Sequence, residues 1–240
     1  MTPLNSTIAA RLGALDWDEL ERSLWDRGYA TTRPVLSAHD CAELIRLYPD
    51  AARFRKRVDM KRHSFGEGEY QYFARPLPRL VQDLRTHAYR KLAPIANRFQ
   101  EALRRELRFP PRLRGFLERC RAAGQTHPTP LLLRYQTDGY NCLHRDLYGE
   151  VWFPLQATIL LSRPGGDFEG GEFLLVENRP RTQSRGAAIT LERGALVLFP
   201  TAERPVRSAR GFARASLRHG LSPLRRGARY ALGIIFHDAA

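Results

Sequence analysis

Lysine is almost missing from this chain of 240 residues: of 39 basic side chains all but Lys56, Lys61 and Lys91 are arginine. Acids are short as well, 25 against those 39, which leaves a formal charge of +14. The three cysteines, Cys41, Cys120 and Cys142, are odd in number, far apart and form no Cys-x-x-Cys. That pattern argues against a disulfide framework and makes a reducing, cytoplasmic setting the expectation. No stretch reaches the roughly 18 consecutive apolar residues that a membrane-spanning helix needs, so no membrane partner is expected. The start, Met1-Thr-Pro-Leu-Asn-Ser, lacks a basic region followed by an apolar one, and no secretory signal is expected there. There is no internal repeat and no low-complexity tract beyond the arginine enrichment. The apolar share of 43% permits a sizeable core, in one large domain or one domain with an appendage.

The positive charge is unevenly spread. Arg179 to Arg229 holds twelve arginines and two acids, Glu192 and Glu203. A concentrated basic segment is the electrostatic footprint of a polyanionic partner. A GC-rich coding bias would explain arginine in place of lysine, but not the shortage of acids in this one segment. The segment is therefore read as a surface that faces nucleic acid, with compositional bias as the plain alternative.

The chemistry centres on Leu133-Arg-Tyr-Gln-Thr-Asp-Gly-Tyr-Asn-Cys-Leu-His144-Arg-Asp146. In a strand, residues i and i+2 project from one face, roughly 7 Å apart, so His144 and Asp146 can close on one ion. A third ligand is available 75 residues later at His219. Two imidazoles and one carboxylate on one face of an ion leave three positions open, the facial triad of non-haem Fe(II) oxygenases. Cys142 would share the face of His144 in a regular strand, but a small buried thiol is the favoured reading. Arg145 should point the other way, into a salt bridge or toward substrate. His237 and Asp238 are adjacent and so make poor joint ligands, and His39, His63, His87 and His127 lack any partner pattern.

The supporting motifs are Phe168-Glu-Gly-Gly-Glu172, Gly194-Ala-Leu-Val-Leu-Phe-Pro200, and a Gly-x-Arg-Tyr that places Arg229 ten residues after His219. In this order they resemble the 2-oxoglutarate- and Fe(II)-dependent dioxygenase superfamily, in its prolyl-hydroxylase-like and AlkB-like branches. With its helical front and arginine-rich insert before His219, the whole chain looks like a bacterial family associated with oxidative demethylation of damaged DNA. The resemblance implies Fe(II), 2-oxoglutarate and O2, with His144, Asp146 and His219 on the metal. Arg229 offers a planar fork for the far carboxylate of 2-oxoglutarate, at the spacing used in the prolyl-hydroxylase-like pattern. The resemblance also gives Tyr135, nine residues before His144, a hydroxyl bond to the cosubstrate. Leu133 stands where the AlkB-like pattern has asparagine, and the paired arginines of that branch are absent at their usual spacing, so the cosubstrate pocket follows the prolyl-hydroxylase-like plan.

Short strands crowd the second half: Leu131 to Tyr135, Leu143 to Asp146, Trp152 to Leu161, Glu172 to Val176, Ala187 to Leu191, Ala195 to Phe199, one beginning at His219, and Arg229 to Phe236. The expected fold is α+β, a double-stranded β-helix (jelly roll) core with N-terminal helices packed on one sheet. Residues 1–128 form a helical support region with a short strand or hairpin, and 129–240 form the core. In the first part, 1–28 read as helical with a stop at Gly28, Tyr29 to Leu36 as a short strand that Pro34 makes an edge or a bend, and Cys41 to Leu47 as a helix opened by the box Ser37-Ala-His-Asp40. Leu80 to Thr86 and Ala88 to Leu107 read as helices, with a kink or fresh start at Pro94. A further helix follows Pro110-Pro111 and stops at Gly124. Arg53 to Lys61 is strongly basic, and the aromatic stretch Gly66 to Pro76 reads as a strand or hairpin leading into a loop; the pair is either a surface hairpin or a substrate lid that could stack on bases and hold phosphates. Three functions compete: demethylation of alkylated nucleic-acid bases, hydroxylation of a protein side chain, and a non-catalytic nucleic-acid-binding module.

Overall fold

A computed structural model describes residues 6–209 and 211–240. Residues 1–5 of the expected first helix, and Arg210 of the basic segment, lie outside the described residues. The front of the chain forms α1 (Ile8–Gly13), α2 (Trp17–Arg27), the short strand β1 (Ala30–Thr31) and α3 (Ala38–Arg46). Asp16 caps α2 by accepting the Glu19 N–H, and Gly28 ends it at φ 82°, a left-handed turn that glycine makes without a Cβ clash. The box between Ser37 and Asp40 is reciprocal, so residues 38–40 are already the first turn of α3.

Next come β2 (Phe54–Asp59), β3 (Gly66–Glu67), β4 (Glu69–Phe73), α4 (Arg79–Ala102) and α5 (Leu113–Ala122). The fresh helix start, one of the two outcomes expected at Pro94, does not occur: α4 is one helix through it. Pro94 and Arg90, whose carbonyl loses its N–H partner, are both exposed, so solvent can take that carbonyl. The other face buries Leu92, Ile95, Ala96 and Phe99, and that packing outweighs the roughly 3 kcal/mol an interior proline costs. The remainder is strand: β5 (Leu131–Gln136), β6 (Tyr140–His144), β7 (Leu155–Leu160), β8 (Phe168–Gly170), β9 (Phe173–Asn178), β10 (Arg185–Ile189), β11 (Leu196–Pro200), β12 (Glu203–Ser208), β13 (Gly211–Leu221) and β14 (Leu224–Ile234).

The strands form two antiparallel sheets, the two walls of the jelly roll. The larger runs β1-β11-β7-β14-β5-β4-β2 with β8 also on β14, and the smaller runs β10-β9-β13-β6-β3 with β12 also on β13. Period-two alternation sorts the side chains of the larger sheet. Leu132, Ile159, Leu196, Leu198, Leu232 and Ile234 join one core with the helices. Their neighbours Tyr135, Leu160, Val197 and Phe199 join a second core with Phe173, Leu175, Leu217 and Leu221 of the smaller sheet. The larger sheet is thus a partition, with helices behind it and the smaller sheet in front. No helix among the described residues is long and apolar enough to cross a membrane.

Candidate metal and cosubstrate site

Between the sheets lies a cavity lined by Tyr135, Asn141, His144, Asp146, Gln156, Thr158, His219 and Arg229, with Leu131, Leu133, Phe173 and Ile235 among its apolar wall. β13 and β6 are neighbours, and His219 stands directly opposite His144 in their register. Asp146 follows two residues after β6 ends. One ligand atom from each of His144, Asp146 and His219 falls within 4.8 Å of the others. His144 Nε2 is 3.6 Å from Asp146 Oδ1, and His219 Nε2 is 3.2 Å from Asp146 Oδ2.

Strand regularity is not what aims these groups. Leu221 pairs with Asn141 and His219 with His144, so the register slips between them. Two residues of β6, Cys142 and Leu143, therefore face the single Gly220, a β-bulge of the kind that re-aims side chains beside functional sites. The bulge lets Asn141 and His144 both face the cavity, and it leaves Cys142 exposed rather than beside His144 or buried. Gly220 admits the bulge, because a Cβ there would sit 2.5 Å from the Asn141 carbonyl oxygen. Asp146 reaches the site from the irregular segment after the strand.

The donors are chemically suited to a divalent ion. His144 Nδ1 is 2.8 Å from the Cys142 carbonyl oxygen, which holds the proton on Nδ1 and leaves the Nε2 lone pair for a metal. Burial works to raise the Asp146 carboxyl, but the two imidazoles hold it well below the usual carboxylate range. Burial, then His144, lowers His219, so its imidazole rests neutral, the form in which it could ligate an ion. Burial also opposes charge on His144, yet the hydrogen bond and charge of Asp146 lift it above its ordinary value. The Tyr148 hydroxyl donates to Asp146 Oδ1.

Arg229 lies in the same cavity on β14, opposite Tyr135 of β5 in the ladder. It is 3% exposed, and among the described residues its Nε has no partner and no carboxylate lies in ion-pair range of it. Its guanidinium carbon is 5.8 Å from the centre of the Phe168 ring. Burial pushes its pKa down to about 10, with Tyr135 and Glu172 opposing. Asn141 Nδ2 donates to the Tyr135 oxygen at 3.3 Å, which leaves the Tyr135 O–H free to donate into the cavity.

Several site residues lie outside the sequence reading. Gln156, whose buried Nε2 also lacks a partner, and Thr158 share the cavity face of β7. A polar pair at i and i+2 inside an apolar strand is the signal for them. Arg145 makes no salt bridge among the described residues; its Nε donates to the Leu217 carbonyl at 3.0 Å. Asp238 pairs with Arg85 and Arg75, away from the triad, while His237 is fully buried and accepts the Phe153 N–H on Nδ1.

Burial lowers the His237 pKa to about 4, below the roughly 6.5 of an unfolded chain. The unfolded state therefore binds the extra proton, and the stability is full above about pH 6.5 and lost as pH falls toward 4. Metal-free protein should lose about 2 kcal/mol between pH 7 and pH 5 through this group alone. In His237→Asn, whose amide oxygen can take the Phe153 N–H, urea unfolding at the two pH values should lack that increment. Equal acid sensitivity in both proteins would show that His237 is not held neutral.

Residues 68–239 match the model of a family described as an oxygenase catalysing oxidative methylation of damaged DNA. Uncharacterized proteins of two Mycobacterium tuberculosis strains are 52% identical over 168 residues, which cover 70% of this chain and 72% of each relative. A 2OG-Fe(II) oxygenase family oxidoreductase from Burkholderia pseudomallei superposes with a TM-score of 0.54 at 16% identity, over 95% of this chain and 94% of its own. A Pseudomonas putida prolyl-4-hydroxylase does so with a TM-score of 0.51 at 13% identity, over 98% and 100%. At these identities the structural likeness speaks to the fold alone.

Proposed function

We propose a function from one premise: the chain belongs to the oxygenase family described as catalysing oxidative methylation of damaged DNA. It is a 2-oxoglutarate- and Fe(II)-dependent dioxygenase, and its substrates are alkylated bases of DNA or RNA, from which it removes methyl groups. With iron and 2-oxoglutarate bound, O2 oxidises a C–H bond, and 2-oxoglutarate leaves as succinate and CO2. Oxidation of an N-methyl group gives a hemiaminal that releases formaldehyde, so this chemistry takes methyl groups off.

His144, Asp146 and His219 hold the iron. The observation that carries the reading is Arg229: a buried guanidinium without a carboxylate partner, in the cavity that the triad also lines. A buried cation left in that state is costly unless a ligand brings the anion, and the C5 carboxylate of 2-oxoglutarate matches its fork. Tyr135 supplies a hydroxyl to the same cosubstrate. The apolar wall of Leu131, Leu133, Phe173 and Ile235 keeps water from the reacting centre.

The basic segment and the family description support nucleic acid as substrate. The spacing of Arg229 after His219, which follows the prolyl-hydroxylase-like plan, favours protein side chains as the second reading. Incubation with Fe(II), 2-oxoglutarate and ascorbate, first with methylated oligonucleotides and then with peptides, separates them. Formaldehyde equimolar with succinate from the oligonucleotides is expected. A peptide product heavier by one oxygen, with no formaldehyde from any oligonucleotide, would overturn the substrate assignment.

A further inference from the structure

The helices pack on the larger sheet, and the outward side chains of the smaller sheet remain partly or fully exposed. On β9 these are Leu174, Val176 and Asn178, and on β13 Arg214, Ser216 and Arg218. Across β6 and the turn before β3, Tyr140 and Phe65 are 38% and 47% exposed. Phe65 is tied to β6 by the Cys142 N–H, which its carbonyl accepts at 2.8 Å, and Glu67 of β3 pairs with Tyr140. Phe65 and Tyr140 are thus diagonal neighbours on one outward face, with the His63 ring stacked on Phe65 at 5.4 Å.

The cations on this face are placed to match. Arg218 and Arg145 are both exposed, and neither makes an ion pair among the described residues. His144 pairs with His219, and Arg145, the first residue after β6, donates its Nε to the carbonyl of Leu217, the neighbour of Arg218 on β13. Arg145 stands in the chain between His144 and Asp146, which both line the cavity. Gly220, between the arginines and the aromatic pair, has no side chain to interrupt the surface. The acids nearby are engaged elsewhere: Glu67 with Lys61, and Glu203 with Arg105 and Arg214.

Resting on the nucleic-acid reading above, we infer that this outer face of the smaller sheet is the track that docks a single strand, with Arg145 and Arg218 on its phosphates and Phe65 and Tyr140 under its bases. Two nearby like charges repel unless an anion lies between them. Exposed rings on an open sheet stack on unpaired bases whatever their sequence. A duplex hides those base faces, so the track selects single strands and brings them to the cavity from the β13 side.

Fluorescence anisotropy with unmodified oligothymidylate, and with the same strand as a duplex, tests this without iron, cosubstrate or a methylated base. Each phosphate contact on single-stranded nucleic acid contributes about 0.7 to the slope of log affinity against log salt. Arg145→Ala/Arg218→Ala should flatten the slope by about 1.4, whereas Arg121→Ala on α5 should leave it alone. Phe65→Ala/Tyr140→Ala should weaken binding by about thirtyfold or more at an unchanged slope. Wild-type affinity and slope in both double variants would overturn the track. So would preference for the duplex, or dissociation of a self-associated form in place of lost oligonucleotide binding. Formaldehyde release is a separate readout: its absence alongside intact strand binding defeats the demethylase reading and leaves the surface standing.

Discussion

Arg229→Met is expected to make the metal-free protein more stable and, in the same step, blind to 2-oxoglutarate. Met has nearly the length of arginine without its charge, and Arg229 is buried with an unpartnered Nε. Removing a buried charge that nothing neutralises should raise the unfolding free energy by about 1–3 kcal/mol. Truncating one half of a buried charge pair costs about 2–5 kcal/mol of binding, so the cosubstrate should bind from about 30-fold to several thousandfold more weakly. Thermal unfolding with Mn(II), with and without 2-oxoglutarate, reads both effects, since a ligand stabilises by mass action on the folded state. Arg229→Lys keeps the charge but not the planar fork, and should fall between the two. If 2-oxoglutarate stabilises Arg229→Met as well as it does the wild type, the carboxylate lies elsewhere. The reading of the cavity then fails, whatever the metal does.

The sequence exposes a good deal of this, though not always for the reason that holds. The residue types at His144, Asp146 and His219 single them out, and the structure brings all three together. Projection of residues i and i+2 from one face requires a regular strand, whereas β6 carries a bulge opposite Gly220 and Asp146 lies past its end. A bulge is a tertiary fit between two strands, and its only mark in the sequence is a glycine on a strand distant in the chain. The fate of Cys142 turns on the same fact. β12 escapes a reading by hydrophobic alternation because it pairs on one side only, with β13, and carries Arg204, Pro205 and Arg207 among its six residues. Pro94 shows the reverse: the fresh helix start that it signals locally is overruled by the apolar face of α4. Arg204 belongs to the basic segment by composition, yet it is buried and paired with Glu177. Net charge alone therefore overstates what that segment presents to a polyanion.

The largest loss is expected from Asp146→Asn. Asp146 is the one acid in the triad, held ionised between two imidazoles, and the change keeps its shape while removing its charge. Fe(II) would then face neutral ligands only, in a buried site where loss of one charge partner costs about 3–5 kcal/mol. Metal affinity should fall by roughly two to three orders of magnitude, and succinate release with it. The fold should survive, because the amide oxygen still accepts the Tyr148 hydroxyl. Tyr148→Phe supplies the graded comparison: it removes the donor that orients Asp146 but no ligand, so about a 10- to 100-fold loss is expected. Co(II) titration followed by visible absorption reads the affinities directly, and circular dichroism checks that each variant is folded. The order of the two effects is decisive. A carboxylate that binds the ion must matter more than the hydroxyl that holds it. If Asp146→Asn binds metal like the wild type, Asp146 is not a ligand. Its closeness to the two histidines would then reflect only an ion pair within the apoprotein.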